Sequence, residues 1–235
     1  MEKVWLITGC STGFGRELAK EVLAKGYKVA VASRKTSDID DIVAAYPNSS
    51  IAIQLDVTNE SEIKSSVAQT MAHFGQIDVL VNNAGIGYFG SIEESEDAEV
   101  RKMFEINVFG LAKMTQEVLP HMRKQRSGHI LNIASIAGLR SFPGVGFYNA
   151  TKYAVDGFSE ALAKEVGPLG IKVTIIAPSG FRTDWAGRSA NESPANISDY
   201  TETAYKNKDN IRGISGNQAG DPIRGVKAMI DRKST

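Results

Sequence analysis

The sequence predicts an α/β fold: a doubly wound parallel sheet with helices on both faces, forming a single domain over residues 1–235. Three observations carry that expectation. Short apolar, β-branched runs alternate with amphipathic segments of helix length, the pattern of parallel strands joined by right-handed helical crossovers. The first run leads at once into a glycine-rich turn that opens a helix. Each run then ends in polar or glycine-containing residues, and in an open parallel sheet those ends lie along one edge, where ligands bind.

The first strand is expected at Val4–Ile7, followed by Thr8-Gly9-Cys10-Ser11-Thr12-Gly13-Phe14-Gly15 and a helix over 14–25. Strand, glycine turn and helix together present backbone N–H groups and a positive helix end to a phosphate. Glycines permit a tight turn and a backbone approach that a Cβ would block. The spacing is G-x-x-x-G-x-G with no Gly-Lys-Ser/Thr after it, which argues against a nucleoside-triphosphate P-loop. The plainer alternative is a turn that merely packs a helix on a strand.

The second run, Lys28–Ala32, ends in Ser33 and Arg34, with Lys35 following. In a dinucleotide site this strand end reads the adenosine ribose. An acid there accepts from the 2′-hydroxyl, whereas a cation pairs with a 2′-phosphate. The residues present favour NADP(H), with NAD(H) as the alternative and a solvated basic loop as the bland reading. A helix over 38–45 leads to the third strand, Ile51–Leu55, which ends in Asp56 and Val57. Asp56 either accepts from the adenine amino group or shapes the turn. Asn59-x-x-Glu62 reads as a cap and its reciprocal partner for a helix over 60–74.

The fourth strand, Val79–Val81, runs into Asn82-Asn83-Ala84-Gly85. A long helical stretch over 98–124 precedes the fifth strand, His129–Ile133, beyond which lies Ser135. A helix over 147–166 leads to the sixth strand, Ile171–Ile176, which ends in Pro178-Ser179-Gly180. Asp221-Pro222 offers a cap with proline at the first helical position. The strand ends together outline one extended cleft.

Composition sets the outer bounds. Lys+Arg and Asp+Glu each number 27, so the charge balance predicts neither a nucleic-acid footprint nor attraction to an anionic membrane. No apolar run approaches the ~20 residues that a helix needs to cross a bilayer. Cys10 is the single cysteine, which excludes an internal disulfide and suits a reducing compartment. The chain enters a strand-like run almost at once, leaving no room for a signal peptide. The expectation is a soluble cytoplasmic protein.

Chemistry is expected at Tyr148 and Lys152, four residues apart on one helix face. Free tyrosine has a pKa of about 10, too high for a base near neutrality. A neighbouring ammonium, helped by an oxidised nicotinamide, favours the phenolate and lowers that value. Ser135 is placed to hydrogen-bond the same substrate oxygen, and Asn107 to hold a water behind the lysine. A Tyr-x-x-x-Lys pair alone would be weak, since chance pairs are common on helix surfaces.

Thr8-Gly-x-x-x-Gly-x-Gly15, Asn82-Asn83-Ala84-Gly85, Asn107, Ser135, Tyr148-x-x-x-Lys152 and Pro178 through Thr183 occur in one order along the chain. That set resembles the short-chain dehydrogenase/reductase family over essentially the whole chain to about residue 185. The resemblance implies a Rossmann-type fold and a catalytic tetrad of Asn107, Ser135, Tyr148 and Lys152. It also implies a cofactor cradle of Gly9, Ser11, Thr12, Gly13, Phe14 and Gly15. Ser33, Arg34, Asp56, Val57, Asn83, Ala84 and Gly85 would continue the cofactor site, which ends at Pro178, Gly180 and Thr183. Lys152 would bind the nicotinamide ribose beside Tyr148, and Thr183 the carboxamide. Asn82 through Gly85 would steady the central sheet. Family members often pair through the two long helices flanking the fifth strand, so a homo-oligomer is an open expectation.

Two departures stand out. Ser179 follows the proline where many members have glycine, which puts the local contact with the nicotinamide in question. The seventh strand common in the family has no counterpart before the chain stops, which would leave a sheet edge open. Residues 186–216 are rich in Ser, Asn, Asp, Gly and Lys, and are expected to form a mobile lid over the substrate. Leu139, Phe142, Val145, Phe181 and Trp185 suggest an apolar pocket, though each would serve equally as ordinary core. His73, His121 and His129 show no ligand spacing, so no metal is expected.

The leading function is therefore NADP(H)-dependent interconversion of a carbonyl and a secondary alcohol, acting on an apolar small molecule. A sugar-nucleotide epimerase would need a larger substrate domain than this length leaves room for. A non-catalytic dinucleotide sensor is the remaining alternative, and it would have no use for an activated tyrosine.

Overall fold

Val4–Ile7 (β1) is fully buried, and its side chains alternate between two cores. The computed structural model describes residues 2–187 and 189–234. β1 pairs in parallel with Lys28–Ser33 (β2) on one side. Ser50–Gln54 (β3) lies outside β2. On its other side β1 pairs with Val79–Asn82 (β4). Gly87–Phe89 (β5) stands apart from this sheet, which continues through Gly128–Ile133 (β6) to Ile171–Ile176 (β7). The order β3-β2-β1-β4-β6-β7, with every pairing parallel, is the Rossmann-type sheet expected from the strand runs. Among the described residues no further strand pairs beyond β7.

Period-two alternation decides which helices cover which face. Trp5 and Ile7 of β1 and Val29 and Val31 of β2 pack with Gly13–Ala24 (α1), joined by Asp40–Ala45 (α2). Leu6 and Ala30 point the other way, toward Glu60–Phe74 (α3). Asp97–Phe104 (α4) is followed by Leu111–Gln125 (α5) and Gly146–Val166 (α6), and α5 and α6 complete that second layer. The single helix expected over 98–124 is interrupted by a π-helical segment, Glu105–Gly110. The helix expected over 38–45 is a 3₁₀ turn at Thr36–Asp38 followed by the short α2.

Both expected caps form, one with a changed partner. Asn59 Oδ1 accepts from the N–H groups of Ser61 (3.0 Å) and Glu62 (3.3 Å). Glu62 reaches back to the N–H of Asp56 (2.7 Å) rather than to that of Asn59.

Residues 186–216 carry more regular structure than their composition suggests. Ala190–Glu192 (β8) pairs in parallel with β5. A π turn at Thr201–Tyr205 then leads into Lys206–Gly213 (α7). Pro222–Ser234 (α8) packs on α1, and its cap is Asp221, whose Oδ1 accepts from Ile223 (2.8 Å) and Arg224 (3.2 Å).

Two polar nodes fasten this region to the body. The Glu94 carboxylate accepts from Tyr205 (2.6 Å), Ser91 (2.7 Å) and the N–H groups of Asn196 (2.7 Å) and Ile197 (3.0 Å). Those donors, Tyr205 foremost, hold its pKa down to about 2. Arg212 pairs with Glu192 (2.8 Å) and donates to the carbonyls of Ala186 (3.1 Å) and Ala190 (2.8 Å). Its guanidinium lies 4.8 Å from the centre of the Phe89 ring. Among the described residues, no helix is long and apolar enough to cross a membrane.

Candidate active site

The site begins where β1 stops. The Thr8 hydroxyl donates to the Val81 carbonyl (3.3 Å) and accepts from the N–H groups of Asn83 and Ala84, both at 3.0 Å. Asn83 Nδ2 donates to the carbonyls of Thr8 (2.9 Å) and Gly9 (3.0 Å). The glycine turn is thus tied to the end of β4. Gly9 takes φ +70°, and a Cβ there would lie 2.9 Å from the Ala84 Cα. A Cβ on Gly15 would lie 2.4 Å from both Asn83 Nδ2 and the Gly9 carbonyl oxygen. Below this lock, Asn82 Nδ2 donates to Thr115 (3.0 Å) and Asn132 (2.9 Å), and Asn132 donates to Ser159 (2.8 Å). The Asn82–Gly85 stretch therefore cross-links β4 to β1, β6 and two helices.

A cleft of about 1170 Å³ runs along the strand ends. Its lining takes in Gly9, Ser11, Thr12, Gly13 and Phe14, then Ser33, Arg34, Asp56 and Val57. It continues past Asn83, Ala84 and Gly85 to Ser135, Tyr148, Lys152, Pro178, Gly180 and Thr183. Two expected residues do not line it. Gly15 sits behind the turn, where its missing side chain makes room for Asn83, and Asn107 lies behind Ile86. The dimensions and the side-chain-free cradle fit a dinucleotide, with backbone N–H groups at the start of α1 available to its phosphates.

At the β2 end, Arg34 is exposed and makes no ion pair among the described residues. The Ser33 hydroxyl donates to the Lys35 carbonyl. Arg16 was not foreseen, because nothing in the turn motif distinguishes it. It lines the cleft, donates to the Asp38 carbonyl (3.0 Å) and pairs with Asp41. Asp56 Oδ1 accepts from the Thr58 N–H (2.9 Å) and hydroxyl (2.7 Å), so its turn-shaping role is realised within the cleft wall.

At the other end, Tyr148 and Lys152 occupy the first turns of α6, both buried. Ser135 caps the 3₁₀ turn after β6, accepting from the Ala137 N–H (3.1 Å), and lies beside Tyr148 in the cleft lining. Lys152 Nζ donates to the Ile133 carbonyl (2.8 Å) and lies 5.6 Å from the centre of the Tyr148 ring. Trp185 packs on the same ring at 4.8 Å between centres, and on Phe89 at 5.7 Å.

The Asn107 side chain is engaged within the fold. Its amide exchanges hydrogen bonds with the N–H and carbonyl of Ile86, both at 2.9 Å, and donates to Thr151 (3.2 Å). Without cofactor, burial raises the Tyr148 phenol above its ordinary value, and the neighbouring Ser135 hydroxyl works against this. The same burial pulls Lys152 down to about 8, against an opposing effect from Asp156.

The apolar residues named from sequence separate into two groups. Phe142, Val145 and Trp185 line the cleft beside Tyr148, with Ile86, Ile211 and Ile214. Leu139 is 63 % exposed and lies off the lining. Phe181 also lines the cleft but stacks edge-on with Phe14 (5.0 Å), bracing the glycine turn. Among the described residues no group of three or more His, Cys, Asp or Glu is arranged to hold a metal.

A fold and cleft of this kind define a nicotinamide-dinucleotide oxidoreductase. The family profile described as short chain dehydrogenase matches residues 3–194, and the chain belongs to that family. A 3-ketodihydrosphingosine reductase of Bacteroides thetaiotaomicron is 40 % identical over 202 residues, covering 86 % of this chain and 72 % of that protein. A short-chain dehydrogenase from Streptomyces avermitilis superposes with a TM-score of 0.93 at 42 % identity, covering 100 % of this chain and 84 % of that one. A relative from Burkholderia phymatum in complex with NAD gives 0.88 at 27 % identity, covering 99 % and 86 %. ElxO with NADP bound gives 0.81 at 30 % identity, covering 98 % and 91 %. The protein is accordingly an NAD(P)-dependent oxidoreductase of the short-chain dehydrogenase family.

The lock between the strand ends can be tested through Gly15. Gly15→Ala forces a Cβ against Asn83 and Gly9, an overpacking that costs about 1–3 kcal/mol. A lowered melting temperature together with weakened dinucleotide binding is expected. A variant with wild-type melting and binding would show that the turn can yield.

Proposed function

We propose that the protein is an NADP(H)-dependent oxidoreductase interconverting a carbonyl and a secondary alcohol, with Tyr148 as its acid/base. The observation that carries this reading is the Ser135–Tyr148–Lys152 cluster at one end of a cleft whose other end is the glycine cradle. When bound, the nicotinamide supplies or accepts the hydride. The chain's own residues handle the proton. Tyr148 donates it to the carbonyl oxygen in reduction and takes it from the alcohol in oxidation, while Ser135 hydrogen-bonds the same oxygen. Lys152 stabilises the phenolate electrostatically and holds the nicotinamide ribose. Asn107 fixes the Ile86 backbone and, through Thr151, the start of α6. A buried acid/base cluster has no purpose in a dinucleotide sensor, which disfavours that alternative.

The exposed, unpaired Arg34 at the β2 end supports NADP(H) over NAD(H). The Phe142, Val145, Trp185 and Ile211 walls support an apolar substrate. The cytoplasm is the proposed location. Residues 186–216 are proposed to close over the substrate: Asn207, Ile211 and Ile214 face the cleft. The segment is held largely by polar nodes rather than by a deep apolar core.

NADPH should bind at least tenfold tighter than NADH, because one charge-assisted contact contributes ~1.5–3 kcal/mol. Arg34→Asp should move the preference toward NADH. Equal affinities for wild type in calorimetry would refute the preference.

Hydrogen exchange in residues 186–216 should be fast in the free protein and slow when cofactor and substrate are both bound. Slow exchange without ligands would rule out closure.

Tyr148→Phe keeps the ring against Trp185 but removes the transferable proton, so turnover should fall ~10²–10⁴-fold with NADPH affinity nearly unchanged. Lys152→Met should lower both. Alcohol oxidation needs the phenolate, so its rate should rise with pH. Reduction needs the phenol, and Lys152 loses its charge as pH rises through about 8, so reduction should fall across that range. A Tyr148→Phe enzyme with most of its activity and an unchanged pH profile would falsify the assignment.

A further inference from the structure

One buried acid near the site has no part in the chemistry above. Asp156 lies one helical turn beyond Lys152, so Tyr148, Lys152 and Asp156 recur at four-residue spacing along one face of α6. The residue is 8 % exposed, and neither carboxylate oxygen has a hydrogen-bond partner among the described residues. Across from it is the 3₁₀ turn Ile136–Gly138 that Ser135 caps. A Cβ on Gly138 would lie 2.3 Å from Asp156 Oδ2 and 2.9 Å from the Lys152 carbonyl oxygen. The carboxylate therefore occupies room that the glycine leaves open, between the turn carrying Ser135 and the helix carrying Lys152.

A buried, unbonded carboxylate opposes folding unless a charge nearby offsets it. Lys152 has the complementary problem. It is buried, no acid lies within 4 Å of its nitrogen among the described residues, and the hydrogen bond it donates goes to the neutral Ile133 carbonyl.

We propose that Asp156 is a positioning residue, whose buried charge one turn along α6 holds Lys152 in its ammonium form beside Tyr148. The inference rests on the role given to Lys152 above. Burial pulls Lys152 down and Asp156 pushes it back up, while burial raises the Asp156 carboxyl and Lys152 opposes that. The other acid acting on Asp156 is Glu160, a further turn along α6. The facing turn, Ile136-Ala137-Gly138, contributes no ionisable side chain, and the Lys152 nitrogen meets the Ile133 carbonyl and the Tyr148 ring. Without Asp156 the lysine would lose its proton at lower pH, and the phenolate would lose its cation within the working range.

The test follows Lys152 directly, by NMR of protein labelled with ¹³C at lysine Cε. The Lys152 resonance is assigned by its loss in Lys152→Met. The titration midpoint is compared in wild type, Asp156→Asn and Asp156→Glu. Asp156→Asn should lower the midpoint by on the order of one pH unit, the shift that corresponds to about 1.4 kcal/mol of lost charge–charge interaction. Asp156→Glu should restore at least part of it. The alkaline fall of the reduction rate should move down with the midpoint. Asp156 is raised by burial, so its ionised form at neutral pH opposes folding. Melting of Asp156→Asn at neutral pH should therefore be unchanged or higher.

An unchanged midpoint in folded Asp156→Asn would overturn the proposal. Loss of the fold in both Asp156→Asn and Asp156→Ala would overturn it too, by showing a structural role. Failure of the protein to bind NADPH would count instead against the functional reading, because the NMR midpoint needs no cofactor.

Discussion

The lock between Thr8, Gly9 and Asn83 is the constraint on which the rest of the site depends. One side-chain amide satisfies two carbonyls of the glycine turn, and one hydroxyl satisfies two N–H groups at the end of β4. Left unpaired and buried, such groups would each cost about 1–3 kcal/mol. Because they pair with each other across β1 and β4, the turn has a fixed height above the sheet. That height sets where α1 starts and where its free N–H groups point. It also lets Phe14 meet Phe181, which ties the loop after β7 to the same turn.

The end of the cleft proposed to carry the acid/base chemistry is organised by desolvation. Tyr148 and Lys152 are each moved by burial toward their neutral forms, the phenol up and the ammonium down. A dry pair of this kind responds strongly to any added charge, since low dielectric magnifies electrostatic interactions. The protein keeps the lysine oriented with a backbone carbonyl, not a carboxylate, so the nitrogen retains donors for other partners. Trp185 packs against the tyrosine ring and covers one side of it.

The six-stranded sheet was legible from β-branched runs because buried parallel strands must be apolar on both faces. The residues named at the strand ends converge because parallel strands end along one edge of the sheet, and all the expected site residues but Gly15 and Asn107 line the cleft there. The partners of Asn107 were not legible, because its bonds to Ile86 depend on a π-helical segment that no local pattern announces. β5 and β8 escaped for a similar reason. Each spans three residues, and their pairing joins segments about a hundred positions apart. No local pattern marks Arg16 or Asp156, since only the folded chain shows which of a helix's faces is buried.

The two halves of the cleft are built with different materials, which bears on how one fold serves different substrates. The cofactor half stands on strand ends and is fixed by hydrogen bonds from Thr8, Asn82 and Asn83 into the central sheet. The substrate half is walled partly by α7 and its approach, fastened through Glu94 and Arg212. Sequence changes in that wall alter the pocket without disturbing a strand of the main sheet. Tyr148 lies where the halves meet, beside Ser135 at the end of β6 and against Trp185 from the wall. On the function proposed above, the proton-transfer geometry would therefore belong to the half built on the main sheet, and the shape offered to the substrate to the wall fastened by side-chain bonds.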